Sequence, residues 1–168
     1  MSISTAMGEL LNKQITKEFE SEKLYLSIAS YFLEEELNGF ANFFLVQAQE
    51  ENSHAMRQFH YLHDVGGRLD LGAIPKPPHK IESILQAFEL TQSNERAVTA
   101  SIHAIVEQSL AEKDYATHTF MQWFVSEQVE EEAVVSNLLS KVKRIQDNPS
   151  ALYMLDAELA QRKLDKGV

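Results

Sequence analysis

Apolar residues recur every three or four positions along several long stretches of the chain, which is the spacing of an α-helix with one buried face. Glycine and proline, which interrupt helices, are scarce and lie mostly between these stretches. Asn148 and Pro149 suit the cap and the first turn of a short additional helix. The pattern therefore predicts four long amphipathic helices and a short fifth one, at about 5–36, 39–65, 81–112, 115–145 and 150–163.

The connections between these helices predict how they pack. Tight turns join the first helix to the second and the third to the fourth, so each pair forms an antiparallel hairpin. The Pro-rich connection at 66–80 is too long for a tight turn, and at roughly 3.3 Å per extended residue it can run much of the length of a helix. We expect an all-α four-helix bundle with one long crossover between its hairpins, in a single domain at 1–168. The alternative is a surface loop without a topological role.

Composition narrows the functional classes. The net charge of −10 and the lack of a basic stretch disfavour nucleic acid as a partner. No apolar run approaches the length of a membrane span, and the N-terminus lacks a basic region followed by an apolar block, so we expect neither membrane insertion nor a secretory signal. The absence of cysteine excludes disulfides and sulfur-ligated metals, and it fits a cytoplasmic protein.

Carboxylates interrupt the apolar face of every long helix. Positions seven apart nearly coincide on a helix, so Glu18 lies on the line of Leu11 and Tyr25. The corresponding residues of the other helices all fall near the helix middles, at one expected level of the bundle. They are Glu51 with His54 beside it, Glu95, and Glu131 with Gln128 beside it.

Buried carboxylates need a counter-charge, and no Lys or Arg lies near them on these lines. Four carboxylates carry −4 and two divalent ions carry +4, which favours a two-metal site. One imidazole among carboxylates suits iron or manganese better than copper(I), structural zinc or calcium. A single such Glu is commonly a boundary residue and a single such His a hydrogen-bonded core residue. A carboxylate on the apolar face of all four helices, at one depth of the bundle, favours the metal site instead.

Several segments together resemble the bacterial non-haem ferritins over nearly the whole chain. They are Glu18 with Tyr25, the run at 48–55, Glu95, and the run at 120–131. The resemblance implies a ferritin-like bundle in which Glu18 and His54 bind one iron and Glu51 bridges to a second. It also implies that Glu95 and Glu131 bind the second iron, while Gln128 and Tyr25 orient ligands or water.

The resemblance also implies a third iron site, formed by Glu50, Glu127, Glu130 and the shared Glu131. Glu50 and Glu127 lie at one side of the apolar faces of their helices, which fits a site adjacent to the first two irons. Glu130 lies further round its helix. No haem is expected. Bacterioferritins have a haem-ligating Met between the Glu and His of their motif, where this chain has Asn52 and Ser53.

The function implied by the resemblance is iron storage. Fe(II) would be oxidised to Fe(III) by dioxygen, and ferric mineral would be deposited inside a hollow homo-oligomeric shell of twenty-four cytoplasmic subunits. Three alternatives remain open. They are a diiron oxidoreductase acting on an organic substrate or peroxide, a subunit that only nucleates mineral, and a DNA-binding protector, which the acidic charge disfavours.

Overall fold

A computed structural model describes residues 3–78, 80–145 and 147–164. Within these ranges the chain forms five helices and no strand. The predicted four-helix bundle and the short C-terminal helix are confirmed. The helices are α1 (Thr5–Glu34), α2 (Asn38–Asp64), α3 (Ile84–Glu112), α4 (Tyr115–Ile145) and α5 (Pro149–Leu159).

Side-chain caps explain where several helices begin. The Ser4 hydroxyl accepts a hydrogen bond from the backbone N–H of Met7, and Asn148 caps α5 in the same way as predicted. Helix α3 begins three residues later than predicted, because Ser83 is extended and its hydroxyl accepts from the N–H of Gln86. Helices α1 and α5 end earlier than predicted, at Glu34 and Leu159.

The connection between α2 and α3 is the predicted crossover, and it lies along α1. Asn12 donates to the carbonyl of Arg68, and Thr16 accepts from the N–H of Gly72. Further along α1, the Ser27 hydroxyl donates to the carbonyl of Pro78. The contacts on α1 extend from Asn12 to Ser27, roughly 22 Å at 1.5 Å per helical residue, so the crossover covers much of the bundle's length.

Helix α5 docks against the beginning of α2. Leu37, which precedes α2, provides no side-chain cap; the carboxylate of Asp156 in α5 accepts instead from the N–H groups of Gly39 and Phe40, at 2.8 and 3.0 Å. A Cβ on Gly39 would lie 1.7 Å from the Asp156 carbonyl oxygen, so this approach requires glycine. The contact fixes α5 against the bundle.

Two apolar clusters fill the interior on either side of a polar layer. The cluster nearer α5 is rich in aromatic residues, and the centroids of its neighbouring rings lie about 5–6.4 Å apart. These rings belong to Phe32, Phe40, Phe43, Phe44 and Phe88. The cluster at the other end is aliphatic in the main and includes Met7, Leu11, Ile15, Leu62, Ile102 and Met121. The polar layer between them contains the predicted carboxylates.

In the described ranges, no helix combines the length and the apolar composition that crossing a membrane requires.

Candidate metal centre

The four helices of the bundle each bring one carboxylate into the polar layer. The side chains of Glu18, Glu51, Glu95 and Glu131 are at most 5% exposed, and His54 is 2% exposed. Each lies on the inner face of its helix, because the same face carries the apolar residues of the two clusters. The structure thus buries together the ligands that the helical pattern predicts.

Glu18, Glu51 and His54 are the most closely gathered of these groups. Each offers one ligand atom, and these atoms all lie within 4.8 Å of one another; in the described part of the chain no other set of three His, Cys, Asp or Glu residues does so. Glu18 Oε2 and His54 Nε2 are buried without a hydrogen-bond partner. Buried polar atoms rarely remain unpaired, so this geometry suits a bound cation.

Glu95 and Glu131 also accept hydrogen bonds from buried side chains. The Tyr25 hydroxyl donates to one oxygen of Glu95, and the Gln128 amide donates to the other at 3.1 Å. The Gln47 amide donates to Glu131 Oε2 at 3.0 Å. Tyr25 and Gln128 therefore contact a predicted ligand directly, as the resemblance implies.

Burial and mutual repulsion raise the pKa values of these carboxyls. Desolvation raises the pKa of Glu95 to about 7, although hydrogen bonds from Tyr25 and Gln128 oppose the shift. Desolvation and then the Glu95 charge raise the pKa of Glu131 to about 7, against the Gln47 hydrogen bond. The pKa of Glu51 lies well above its usual range for the same reasons. A metal-free centre therefore retains protons that a cation would displace.

His54 is prepared to act as a neutral ligand. Burial lowers its pKa, and the nearby Arg57 charge lowers it further, while Glu18 acts in the opposite direction. The ring also packs edge-on against Trp123, with centroids 5.4 Å apart. An uncharged imidazole in a fixed orientation has a nitrogen lone pair available for a metal.

Buried glutamines are the part of the layer that charge-based reasoning on the sequence missed. Gln14 and Gln58 donate to the same Glu18 oxygen, at 2.9 and 2.8 Å, and both side chains are fully buried. Gln47 is equally buried. The helical period could have found them, because Gln14 lies seven residues after Met7 and Gln47 lies four before Glu51.

The predicted third set of carboxylates lies at the edge of this layer. Glu50 is buried, Glu127 is half-buried and Glu130 is exposed, while Glu131 belongs to the inner layer. Glu50 and Glu130 both line an open cavity of about 440 Å³ between α2, α4 and α5. Arg162, which lies just beyond α5, pairs with Glu50 there. Reasoning along single helices missed this arginine.

Comparison with known proteins identifies the family. The model of the ferritin-like domain family matches residues 8–145. A bacterial non-heme ferritin from Campylobacter jejuni is 38% identical over 154 residues, which are 92% of each chain. A bacterial non-heme ferritin from Staphylococcus aureus is 37% identical over 164 residues, which are 98% of this chain and 99% of that one.

Solved structures agree with the sequence comparison. An Archaeoglobus fulgidus ferritin engineered into a closed form superposes with a TM-score of 0.95 at 46% identity, covering 98% of this chain and 100% of that chain. A humanized archaeal ferritin superposes with a TM-score of 0.96 at 47% identity, covering 98% and 99%. The resemblance drawn from the sequence is confirmed, and the chain belongs to the ferritin family.

Proposed function

We propose that this chain is an iron-storage ferritin subunit that oxidises Fe(II) to Fe(III) with dioxygen. The observation that carries the proposal is the buried group of Glu18, Glu51 and His54, whose ligand atoms lie within 4.8 Å of one another. In this group one carboxylate oxygen and one imidazole nitrogen lack a hydrogen-bond partner, so both are available to bind a cation. The names of the bacterial relatives support iron as that cation.

The proposed ligand assignment uses both sides of the layer. Glu18 and His54 bind the first Fe(II), Glu51 bridges the two ions, and Glu95 and Glu131 bind the second. The four carboxylates then neutralise two divalent ions, which offsets the desolvation and the repulsion that raise the pKa values of Glu51 and Glu131. Tyr25 and Gln128 act as positioning residues through their hydrogen bonds to Glu95.

Oxidation changes the charge balance of the site. Two Fe(II) ions together give two electrons to one dioxygen, which takes up two protons and leaves as hydrogen peroxide, so the two ions gain two positive charges while the carboxylates keep their charges. Oxide and hydroxide from water supply the missing negative charge, and protons leave the site as Fe(III) hydrolyses. Oxide and hydroxide replace carboxylates around Fe(III), which favours transfer of hydrolysed Fe(III) out of the layer and into a mineral. The third carboxylate set lies at the edge of the layer, where Glu50 and Glu130 line an open cavity.

We further propose that the subunits form a homo-oligomeric shell, of twenty-four copies, in the cytoplasm. Large apolar side chains remain exposed on more than one face of the isolated subunit, including Leu33 at 52% and Met154 at 72%. Such residues are expected to be covered by neighbouring copies. Light scattering coupled to size exclusion measures this, and a stable monomer or dimer would contradict the shell.

The test of the oxidation proposal is Glu51→Ala. Removal of the bridging carboxylate should abolish fast aerobic Fe(II) oxidation, which stopped-flow absorbance of Fe(III) records. The loss should exceed the roughly 10–100-fold that mutation of a supporting residue costs. Glu107→Ala, which removes an exposed carboxylate on α3, is the matched control. Unchanged kinetics in folded Glu51→Ala would refute the assignment, and oxidation without retained mineral would favour a diiron oxidoreductase.

A further inference from the structure

The segment after α5 brings a guanidinium group to the edge of the metal centre. Arg162 Nη2 lies 2.6 Å from Glu50 Oε2, and Nη1 donates to the carbonyl of Phe43 at 3.4 Å. The guanidinium carbon also lies 4.3 Å above the Phe43 ring. The side chains of Arg162 and Glu50 are 22% and 9% exposed. The pair is therefore largely removed from water and is fixed by several contacts.

The fold imposes this position on Arg162. The amide of Asn42 donates to the carbonyls of Leu159 and Arg162, at 3.1 and 3.0 Å. On the same helix pair, Asp156 accepts from the first N–H groups of α2. The chain is thus anchored to α2 on both sides of the end of α5, so the guanidinium does not reach Glu50 by chance rotation of a long side chain.

Arg162 lies among several of the carboxylates that the resemblance assigns to a third iron. It pairs directly with Glu50. Glu130 lines the same cavity as Arg162 and Glu50. The positive charge therefore lies among carboxylates that would otherwise bind a metal ion.

We propose that Arg162 is an internal counter-cation for the third site, and that a third ion binds Glu50 only after it displaces the guanidinium. The inference rests on the proposed function, because the diiron centre supplies the iron that reaches this site. A guanidinium and a divalent ion on one carboxylate repel each other, so the intact pair weakens binding of the third ion. Arg162 thereby makes the third site the last to fill, and it is a positioning residue that acts through Glu50.

The same cavity offers a matched control. Lys141 pairs with Glu158 at 2.9 Å, with side chains 43% and 62% exposed. Lys141 lines the same cavity as Arg162. Its partner Glu158, however, is not one of the carboxylates of the proposed iron sites. Removal of the Lys141 charge tests whether any positive charge in the cavity has the same effect.

The experiment is a calorimetric titration of the assembled apo-protein with Zn(II), a divalent ion that is not oxidised. Arg162→Gln should tighten the third Zn(II) per chain by about 10-fold or more, the scale of effects that supporting residues have on metal affinity. The affinities of the two tighter ions should change much less than that of the third, because Arg162 pairs with Glu50, which is a ligand of the third ion alone. Arg162→Lys, which keeps the charge, should remain close to wild type, and Lys141→Gln should change the third affinity by less than about fivefold.

Equal third affinities in wild type and Arg162→Gln would overturn the inference, as would an equal gain in Lys141→Gln. If Arg162→Gln fails to assemble, a crystal structure of the wild-type protein in excess Zn(II) decides the matter. An ion on Glu50 with the guanidinium displaced supports the inference, and an ion on Glu50 beside an intact pair refutes it. Wild-type protein without two tight ions and without fast Fe(II) oxidation would instead refute the proposed function.

Discussion

The α1–α2 side of the metal centre and its α3–α4 side stabilise their buried carboxylates in different ways. On the α1–α2 side, two amides hold one oxygen of Glu18 and leave the other unpaired beside Glu51 and His54. On the α3–α4 side, both oxygens of Glu95 already accept hydrogen bonds. The first side keeps an unpaired carboxylate oxygen for a cation, whereas on the second side a cation must use the remaining lone pairs of oxygens that already accept hydrogen bonds. The two ions should therefore bind in sequence.

The largest expected effect is the loss of Fe(II) binding when one ligand is removed from either side of the site. Glu18→Ala should remove tight binding of the first Fe(II) and prevent the second from binding well. Glu131→Ala should leave one tight ion per chain and lose the second. Each lost ligand should cost more than the roughly 10–100-fold of a supporting residue. Anaerobic Fe(II) titration measures the stoichiometry and affinity of both variants.

The control for this pair is Glu9→Ala, because Glu9 is exposed on the same helix as Glu18. It should bind both ions as the wild type does. If Glu18→Ala and Glu131→Ala lose the two ions equally, the contrast between the two sides has no consequence for binding.

A second prediction concerns pH and the apo-protein. Because Glu95 and Glu131 have pKa values near 7 in the folded state, against a usual 4.5, the folded protein binds their protons more tightly than the unfolded chain. Stability should therefore fall as pH rises from about 4.5 through about 7, by a few kcal/mol for the two groups together. Zn(II) added at about pH 8 should restore it. Thermal unfolding over this pH range measures both effects.

The lowered pKa of His54 acts in the opposite sense, since a buried neutral imidazole favours unfolding as pH falls below about 6.5. The dependence of stability on pH should therefore be compared between wild type and Glu131→Gln, a variant that mimics the protonated carboxyl. A flatter fall of stability with pH is expected in Glu131→Gln, and exposed Glu89→Gln should leave the slope unchanged. An unaltered slope in Glu131→Gln would show that this side does not titrate as described.

The helical period is enough to predict that Glu18, Glu51, Glu95 and Glu131 face the interior, because burial on a regular helix depends on spacing alone. It is equally able to predict Gln14, which lies on the neighbouring line of buried Met7, but an argument that counts charges does not consider neutral amides. The helix ends are less predictable. Ser83 decides the start of α3 by its extended backbone and its cap, and nearby residues allow other starts.

A smaller effect should follow from the amides on the α1–α2 side. Gln58→Leu removes one donor to Glu18 and leaves Gln14, so it should weaken the first ion by less than about 10-fold. Adding Gln14→Leu should weaken it by more than the product of the single effects, because Glu18 then loses both donors. Gln49→Ala, at an exposed position on α2, is the control. Additive single effects would mean that the two amides do not share the orientation of Glu18.

The smallest expected effect concerns the donors on the α3–α4 side. Tyr25→Phe removes one hydrogen bond to Glu95 and leaves Gln128, so it should change apo-protein stability by only about 1 kcal/mol. The second ion should bind slightly more weakly, because Glu95 loses one of the two donors that orient it. An unchanged affinity for the second ion in the Fe(II) titration would show that Tyr25 does not orient Glu95 for binding.

The Arg162–Glu50 pair shows the limit of reading one helix at a time. The two residues are 112 positions apart in sequence, and neither lies on an apolar stripe that identifies the other. Their contact depends on how α5 docks, through Gly39 and Asp156, onto the beginning of α2. Pairings of this kind follow from tertiary geometry, which the period of a helix does not encode.

The two apolar clusters on either side of the polar layer also limit the directions from which a charged ion could reach that layer. Travel along the bundle axis would carry a charged ion past stacked rings such as Phe32 and Phe44, or past Met7 and Leu11, without a polar partner. Under the proposed function, iron would therefore enter and leave sideways, between neighbouring helices. Each subunit would then act as a wall that iron crosses perpendicular to the helices, over the short dimension of the bundle.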